Sequence, residues 1–173
     1  MSRKKNIIEL TRYSKEEYSK VEKLPVWVVL DNVRSLYNVG SVFRTADALG
    51  ISGVILGGIT GCPPHPELKK TALGAEESVE WRHVEDTLAE CKRLQSEGWK
   101  IAVLEQAHDS VELQNYRRMD GERIVLVAGN EVEGVDQRIV DMADVVLEIP
   151  QRGVKHSLNV SVSVGMALWQ LSF

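Results

Sequence analysis

Apolar residues fall along this chain in short continuous runs, separated by stretches with helical spacing. Val26-Trp27-Val28-Val29-Leu30 is a run of buried-strand length, entered through Pro25. After the turn-like Asp31-Asn32-Val33-Arg34-Ser35, the residues Val39, Val42, Phe43, Ala46 and Leu49 recur at helical spacing. That pattern predicts a helix over 38–49, with Asn38 able to cap it and Gly50 to stop it. Val54-Ile55-Leu56 before Gly57-Gly58 reads as a second strand, and the proline-rich stretch 60–66 as an irregular loop. A helix is expected over 86–95, with Leu88, Cys91 and Leu94 on one side and Gly98 as its stop. Strands follow at 101–104, at 124–128 and at 145–150, with a short helical turn at 137–142 between the last two. Continuous apolar strands separated by helices predict an α/β fold: a mostly parallel sheet with helices on both faces. The final segment has two readings. Val160-Ser161-Val162-Ser163-Val164 alternates as a half-exposed strand does, yet Leu158, Val162, Met166 and Trp169 make a helical stripe.

Composition sets limits on this picture. The chain has 173 residues, 43% of them hydrophobic and 27% charged, enough for one domain with its own core and against disorder. No apolar run approaches the roughly 20 residues of a membrane span. The basic start Met1-Ser2-Arg3-Lys4-Lys5 leads into Asn6-Ile7-Ile8-Glu9, which is not a secretory signal. Cys62 and Cys91 cannot form a metal-ligand set alone and point to a reducing, cytoplasmic compartment. The net charge of −4 argues against a nucleic-acid partner until its distribution is considered. Residues 1–24 carry seven Lys/Arg against four Glu, a local +3, and the remaining residues carry 14 basic and 21 acidic side chains, or −7. This N-terminal arm, expected to be partly helical, reads either as a solvated leader or as a positive segment that touches a phosphate backbone. The catalytic domain is expected over 25–173.

Several chemistries are excluded by pattern. There is no G-x-x-x-x-G-K-[ST], and Gly57, Gly58 and Gly61 do not make G-x-G-x-x-G. Neither a G-x-S-x-G elbow nor an H-E-x-x-H helix occurs, and His65, His83, His108 and His156 lack ligand spacing. No metal site is expected. Three motifs remain. Asn38-x-Gly40-x-x-x-Arg44-Thr45-Ala46 opens the first long helix. Gly129-Asn130-Glu131-x-x-Gly134 follows the most apolar strand. Ile149-Pro150-x-x-Gly153-x-x-x-Ser157-Leu158-Asn159-Val160-Ser161 follows the last strand. In this order and spacing they resemble the three motifs of the SpoU (TrmH-type) branch of the SPOUT RNA methyltransferases, over about Val26 to Trp169.

The resemblance implies an S-adenosylmethionine-dependent transfer of a methyl group to a ribose 2′-hydroxyl of RNA. It also implies a homodimer, a deep C-terminal trefoil knot, and a last segment that is helical from Leu158 onward. By the same resemblance Gly129, Ile149 and Leu158 contribute main-chain contacts to the cofactor, with Gln106 near its far end. Gly129 suits such an approach because it has no Cβ. Asn38, Glu131, Ser157 and Asn159 are placed around the ribose and methyl. Arg44 is the foremost catalytic candidate. Its alternative is an i,i+3 salt bridge to Asp47. A guanidinium stays protonated, so gripping a phosphate and stabilising a developing alkoxide suits Arg44 better than acting as a literal base. Asn38, Ser157 and Asn159 have purely local readings as caps and backbone-bonding polar residues. Glu131 is expected to hold Asn38 or Arg44, or the dimer-contributed side of the site. Phosphate contacts are expected from the arm, from Lys69-Lys70 and Arg117-Arg118, and from Arg152, Lys155 and His156. A chain this small favours tRNA over rRNA as the substrate. A catalytically silent RNA-binding protein and a base methyltransferase are the competing functions.

Overall fold

The computed structural model describes residues 2–6, 9 and 13–173. The part of the basic arm at 1, 7–8 and 10–12, Arg12 included, lies outside the described residues. Seven strands form one sheet: β1 (Leu24–Asp31), β2 (Ile51–Gly57), β3 (Trp81–Val84), β4 (Lys100–Leu104), β5 (Val111–Glu112), β6 (Ile124–Ala128) and β7 (Val145–Glu148). Their order is β3-β2-β1-β6-β4-β7-β5, and every neighbouring pair is parallel. The helices are α1 (Lys15–Lys20), α2 (Leu36–Leu49), α3 (Pro66–Ala72), α4 (Thr87–Ser96), α5 (Gln137–Met142) and α6 (Val160–Ser172).

Strand alternation divides the core in two. Val26, Val28 and Leu30 of β1, with Ile124, Leu126 and Ala128 of β6, face a cluster closed by α2, α3 and α6. Trp27 and Val29, with Val125 and Val127, face the other layer, where Cys91, Leu94 and Ile139 from α4 and α5 cover them. Because both faces are covered, the strands read as unbroken apolar runs. Burial pushes the Cys91 thiol up to about 12, with the charges of Asp31, Glu90 and Asp86 adding to it, so it packs as a small hydrophobe.

The expected elements are present, with several differences. α2 starts at Leu36, and Ser35 caps it by accepting from the Asn38 N–H at 3.3 Å. Asn38 is therefore not the cap, and its amide is left for other work. Gly50 ends the helix in the left-handed region, at φ 62°. α4 begins one residue later than expected because Asp86 is its N-cap, accepting from Ala89 N–H at 2.9 Å. α3 was hidden by its prolines: Pro66 occupies its first turn, where no N–H is needed, and His65 caps it. β3 and β5 at the sheet edges are too short and too mixed to carry a periodic signal.

The last segment is a helix, as the family resemblance implies. It begins at Val160, one residue after its N-cap Asn159, whose Oδ1 accepts from Ser161 and Val162 N–H. Its β-branched residues lean toward strand by propensity. Val164, Ala167, Leu168 and Leu171 nevertheless form a fully buried helical stripe against the sheet.

Candidate active site

In an all-parallel sheet the loops after the strands collect at one end, where ligands of such folds bind. Here the loops after β4, β6 and β7 enclose a cavity of about 430 Å³. Its wall includes all four residues expected around the cofactor, Gln106, Gly129, Ile149 and Leu158, together with Glu131, Ser157 and Asn159. The second and third motifs thus meet here with the loop after β4, and the first motif reaches the mouth only through Asn38.

Each loop is shaped by its own residues. After β6 the chain doubles back: Asn130 and Gly134 exchange backbone hydrogen bonds of 3.0 Å in both directions. A Cβ on Gly129 would lie 2.2 Å from Gly134 C and Val135 N, so glycine is required there by this doubling back. The expectation that Gly129 is bare to admit a ligand is thereby given a prior, structural reason. The Asn130 side chain accepts from Val132 N–H at 2.8 Å and donates to Asn32 O at 2.9 Å, tying this turn to the loop after β1. Asp31, only 3% exposed, accepts from Asp136 N–H at 3.1 Å and holds the start of α5 to the same place. Glu105, at the end of β4, accepts from Val135 N–H at 3.2 Å and Gln106 N–H at 2.9 Å. Gln106 Nε2 in turn donates to His156 O at 3.1 Å, joining the β4 loop to the loop after β7. Sequence reasoning missed Glu105 and Asp31, and gave Asn130 only as a position of the second motif with no role of its own. The one available signal was a polar side chain at a strand's carboxyl end.

At the mouth, four predicted residues divide into three that are connected and one that is not. Glu131 accepts from Arg34 N–H and Ser35 N–H, each at 3.0 Å, and from Asn38 Nδ2 at 3.1 Å. Asn38 Oδ1 accepts from Asn159 Nδ2 at 3.0 Å. The result is a relay, Asn159 to Asn38 to Glu131, that joins the cap of α6 to the first turn of α2. Burial pushes the Glu131 carboxyl up, but the N–H groups of Arg34 and Ser35 and the Asn38 amide outweigh it, holding the group below its ordinary value. Asn159 is exposed, yet both its amide nitrogen and its amide oxygen are engaged. Ser157 is exposed, lines the cavity, and makes no hydrogen bond to the described residues.

Arg44 is not brought to this cavity. It is exposed on α2 and lines a separate groove against α1 and the turn after α3. Its alternative partner is taken: Asp47 Oδ1 accepts from Ser78 Oγ at 2.7 Å, and Arg44 forms no ion pair with the described residues. Six residues along a helix place Arg44 roughly 9 Å from Asn38 along the axis. Gly40, between them, is a packing residue, since a Cβ there would lie 2.2 Å from Thr71 Oγ1 and 2.3 Å from Leu68 O on α3.

Among the described residues no cluster of His, Cys, Asp or Glu suits a metal ion, and no helix is long and apolar enough to cross a membrane. Comparison with known proteins agrees with the motif reading. The chain is 32% identical over 147 residues to the 23S rRNA (guanosine-2′-O-)-methyltransferase RlmB of Escherichia coli strain K12, covering 84% of this chain and 59% of that protein. The chain thus spans under 60% of the length of the curated relatives it first matches. The Aquifex aeolicus TrmH/SpoU tRNA modifying enzyme superposes with a TM-score of 0.79 at 28% identity, over 91% of this chain and 78% of that one. The AdoMet-bound rRNA methyltransferase of Sinorhizobium meliloti gives 0.77 at 28% identity, over 92% and 60%. Residues 25–169 match the model of the SpoU rRNA methylase family, a span that holds all three motifs and every wall of the cavity; the chain belongs to that family.

Proposed function

We propose that this protein transfers a methyl group from S-adenosylmethionine to a ribose 2′-hydroxyl of structured RNA. The observation that carries the reading is the cavity at the ends of β4, β6 and β7, with the Asn159–Asn38–Glu131 relay across its mouth. Residues 25–173 form the catalytic domain and 1–24 a basic arm beside it. The residues present fit the cofactor: a cavity of about 430 Å³ is of ligand size, and its turns leave backbone groups to meet a purine and a ribose. Gly129, Ile149, Leu158 and Gln106 hold it there. When bound, it supplies an activated methyl on a sulfonium, so no metal is needed.

The chain's own residues then have three tasks. Glu131, fixed by two backbone N–H groups, orients the Asn38 amide, and Asn38 orients Asn159. Ser157 and Asn159 accept and donate around the incoming ribose. Arg44 grips a phosphate of the same strand from the neighbouring groove, its separation along α2 suiting a phosphate next to the reacting ribose. The hydroxyl proton leaves to solvent as the methyl passes from sulfur to oxygen. We take tRNA as the substrate; the similar proteins include both a tRNA modifying enzyme and a 23S rRNA methyltransferase, so both RNAs enter the test below. Membership in the family also carries the expectation of a C-terminal knot, with α6 returned onto α2.

The homodimer is supported by an unpartnered apolar stripe on α6. Leu158, Val162, Met166, Trp169 and Phe173 are 41–82% exposed along one face that begins at the cavity mouth. A second copy seated on this stripe shields it and narrows the mouth.

The test is methyl transfer from labelled S-adenosylmethionine into RNA from cells lacking the gene, followed by nuclease digestion and mass spectrometry. A 2′-O-methylnucleoside is the expected product. A methylated base would replace this reading with base methylation, and cofactor binding without any transfer would replace it with a silent RNA-binding protein.

A further inference from the structure

The groove that holds Arg44 has a composition the cofactor cavity lacks. Its walls include Tyr13, Lys15 and Tyr18 from the arm, Arg44 from α2, and Leu73 and Glu77 beyond α3. Tyr13 is 63% exposed, its ring centred 6.5 Å from that of Tyr18 and tilted by 39°. Tyr18 is fixed: its hydroxyl donates to Asp47 O at 3.1 Å, and the Lys23 ammonium lies 2.8 Å from its ring centre. Tyr13 thus offers an open aromatic face on a fixed support. On the same exposed side of α2, Tyr37 is 44% exposed and Lys70 stands 5.9 Å from its ring.

The groove lining mixes Lys15, Lys23 and Arg44 with Glu22, Asp47 and Glu77, and several cations elsewhere on the molecule are taken up by partners. Arg82 and Arg93 are consumed by Glu90, Lys100 by Glu122 and Arg138 by Asp136. Arg117 and Arg118 are turned onto backbone carbonyls, so this pair is built into the structure. Arg44 and Lys70 form no ion pair with the described residues. Lys15 and Lys69, from different elements, converge on the single carboxylate of Glu77. That carboxylate stands where two ammonium groups favour an anion.

We propose that this groove, continued along α2 to Tyr37 and Lys70, is the track for a single-stranded stretch of the substrate RNA, with phosphates held by Lys15 and Arg44 in the groove and by Lys70 beyond it, and a base stacked on Tyr13. The proposal rests on the RNA methyltransferase reading and extends it to the part of the RNA flanking the methylated nucleotide. Open rings select single strands, because the bases of a duplex are already stacked on one another. Glu77 occupies the position of a phosphate in the free protein and is displaced when the strand enters.

The experiment is fluorescence anisotropy of the full chain with a labelled oligouridylate of about twelve nucleotides, across a salt series, beside a duplex RNA of equal length. Lys70→Ala is expected to weaken binding about three- to tenfold at low salt and to lower the log–log salt slope by about 0.7. Tyr13→Ala is expected to weaken it about fivefold or more, with Tyr13→Phe restoring it. Glu77→Gln is expected to tighten it. Cofactor binding by calorimetry is expected to be unchanged in all four variants, which shows that they fold. Unaltered binding in Lys70→Ala and Tyr13→Ala, equal affinity for the duplex, or no binding by the parent protein would each overturn the track. A variant that loses the cofactor would also overturn it, by assigning that residue to the cavity. A parent protein that binds the oligonucleotide but transfers no methyl group breaks the enzymatic reading and leaves the track standing.

Discussion

The cofactor cavity and the groove beside α1 are built from opposite materials. In the cavity, side chains mostly bind backbone: Glu105 takes two N–H groups, Asn130 bridges two loops, and Glu131 takes two more N–H groups before it reaches Asn38. The groove is built from long exposed side chains on helix surfaces, with ion pairs that water screens. The difference matches what each is proposed to recognise. A small cofactor of fixed shape rewards walls that are already in place, whereas a strand of RNA is met by mobile charges and open rings.

The contrast can be broken most directly at Gly129. A methyl group there collides with the Gly134 and Val135 backbone, so Gly129→Ala is expected to abolish cofactor binding in calorimetry and to cost about 1–3 kcal/mol of stability. Retained binding would show that the doubled-back turn is not the cavity's rigid part. The next largest effect belongs to the groove. Arg44→Ala is expected to lower kcat/KM on RNA by about 10²–10³ with the cofactor affinity unchanged, and Arg44→Lys is not expected to restore it. Near-normal turnover of both variants would remove Arg44 from the reaction.

A third test lies outside both regions and calibrates them. Glu90, its side chain 10% exposed, is held down to about 2 by hydrogen bonds from Arg93, against its burial, with Arg82 adding to them. Because the folded value is lowered, this stabilisation is present above the ordinary carboxylate value of 4.5 and is lost as pH falls toward 2. Glu90→Gln is therefore expected to lower stability by about 2 kcal/mol at neutral pH in urea unfolding, with cofactor and RNA binding intact. The difference between the two proteins should shrink as the solution is acidified. The smallest effect is expected at the relay. Glu131→Gln keeps one acceptor and loses the charge, so kcat should fall about tenfold while cofactor binding persists. The Glu131 carboxyl lies below its ordinary value, so this deficit should be flat from about pH 6 to pH 9. A deficit that varies with pH there would mean that Glu131 itself moves a proton.

Much of the scaffold was legible because buried parallel strands announce themselves. β1, β4 and β6 are uninterrupted apolar runs, and α2 carries its core stripe openly. α3 was not legible, because its helix starts on a proline inside what reads as a loop. β3 and β5 were not, because a two- to four-residue edge strand has no period to detect. α6 was legible only through the motif, since its Val-Ser alternation favours strand and burial against α2 overrides it. Within the site, residues named from the motifs line one cavity, and the structure joins three of the four at its mouth. Glu105 and Asp31 were not found, because a carboxylate that caps a loop's backbone carries no mark in one sequence. Nor does sequence show that Arg44 and Asn38, on one helix, face two different concavities.

The strand order has a consequence for how the chain assembles. β1, β2 and β3 lie side by side and come first, so they can pair as soon as they are made. β4 cannot join them, because β6, synthesised later, is the strand that belongs between β1 and β4. During synthesis the β1–β3 unit and β4 therefore stay unjoined until residue 128, β5 waits for β7, and the cavity has no third wall until the segment through Asn159 arrives. For that interval the edges of β1 and β4 are open to pairing with other chains, the hazard typical of slow parallel sheets. A ligand that binds only the finished cavity will therefore act late, by pulling the completed state forward, and will do nothing for the exposed intermediate.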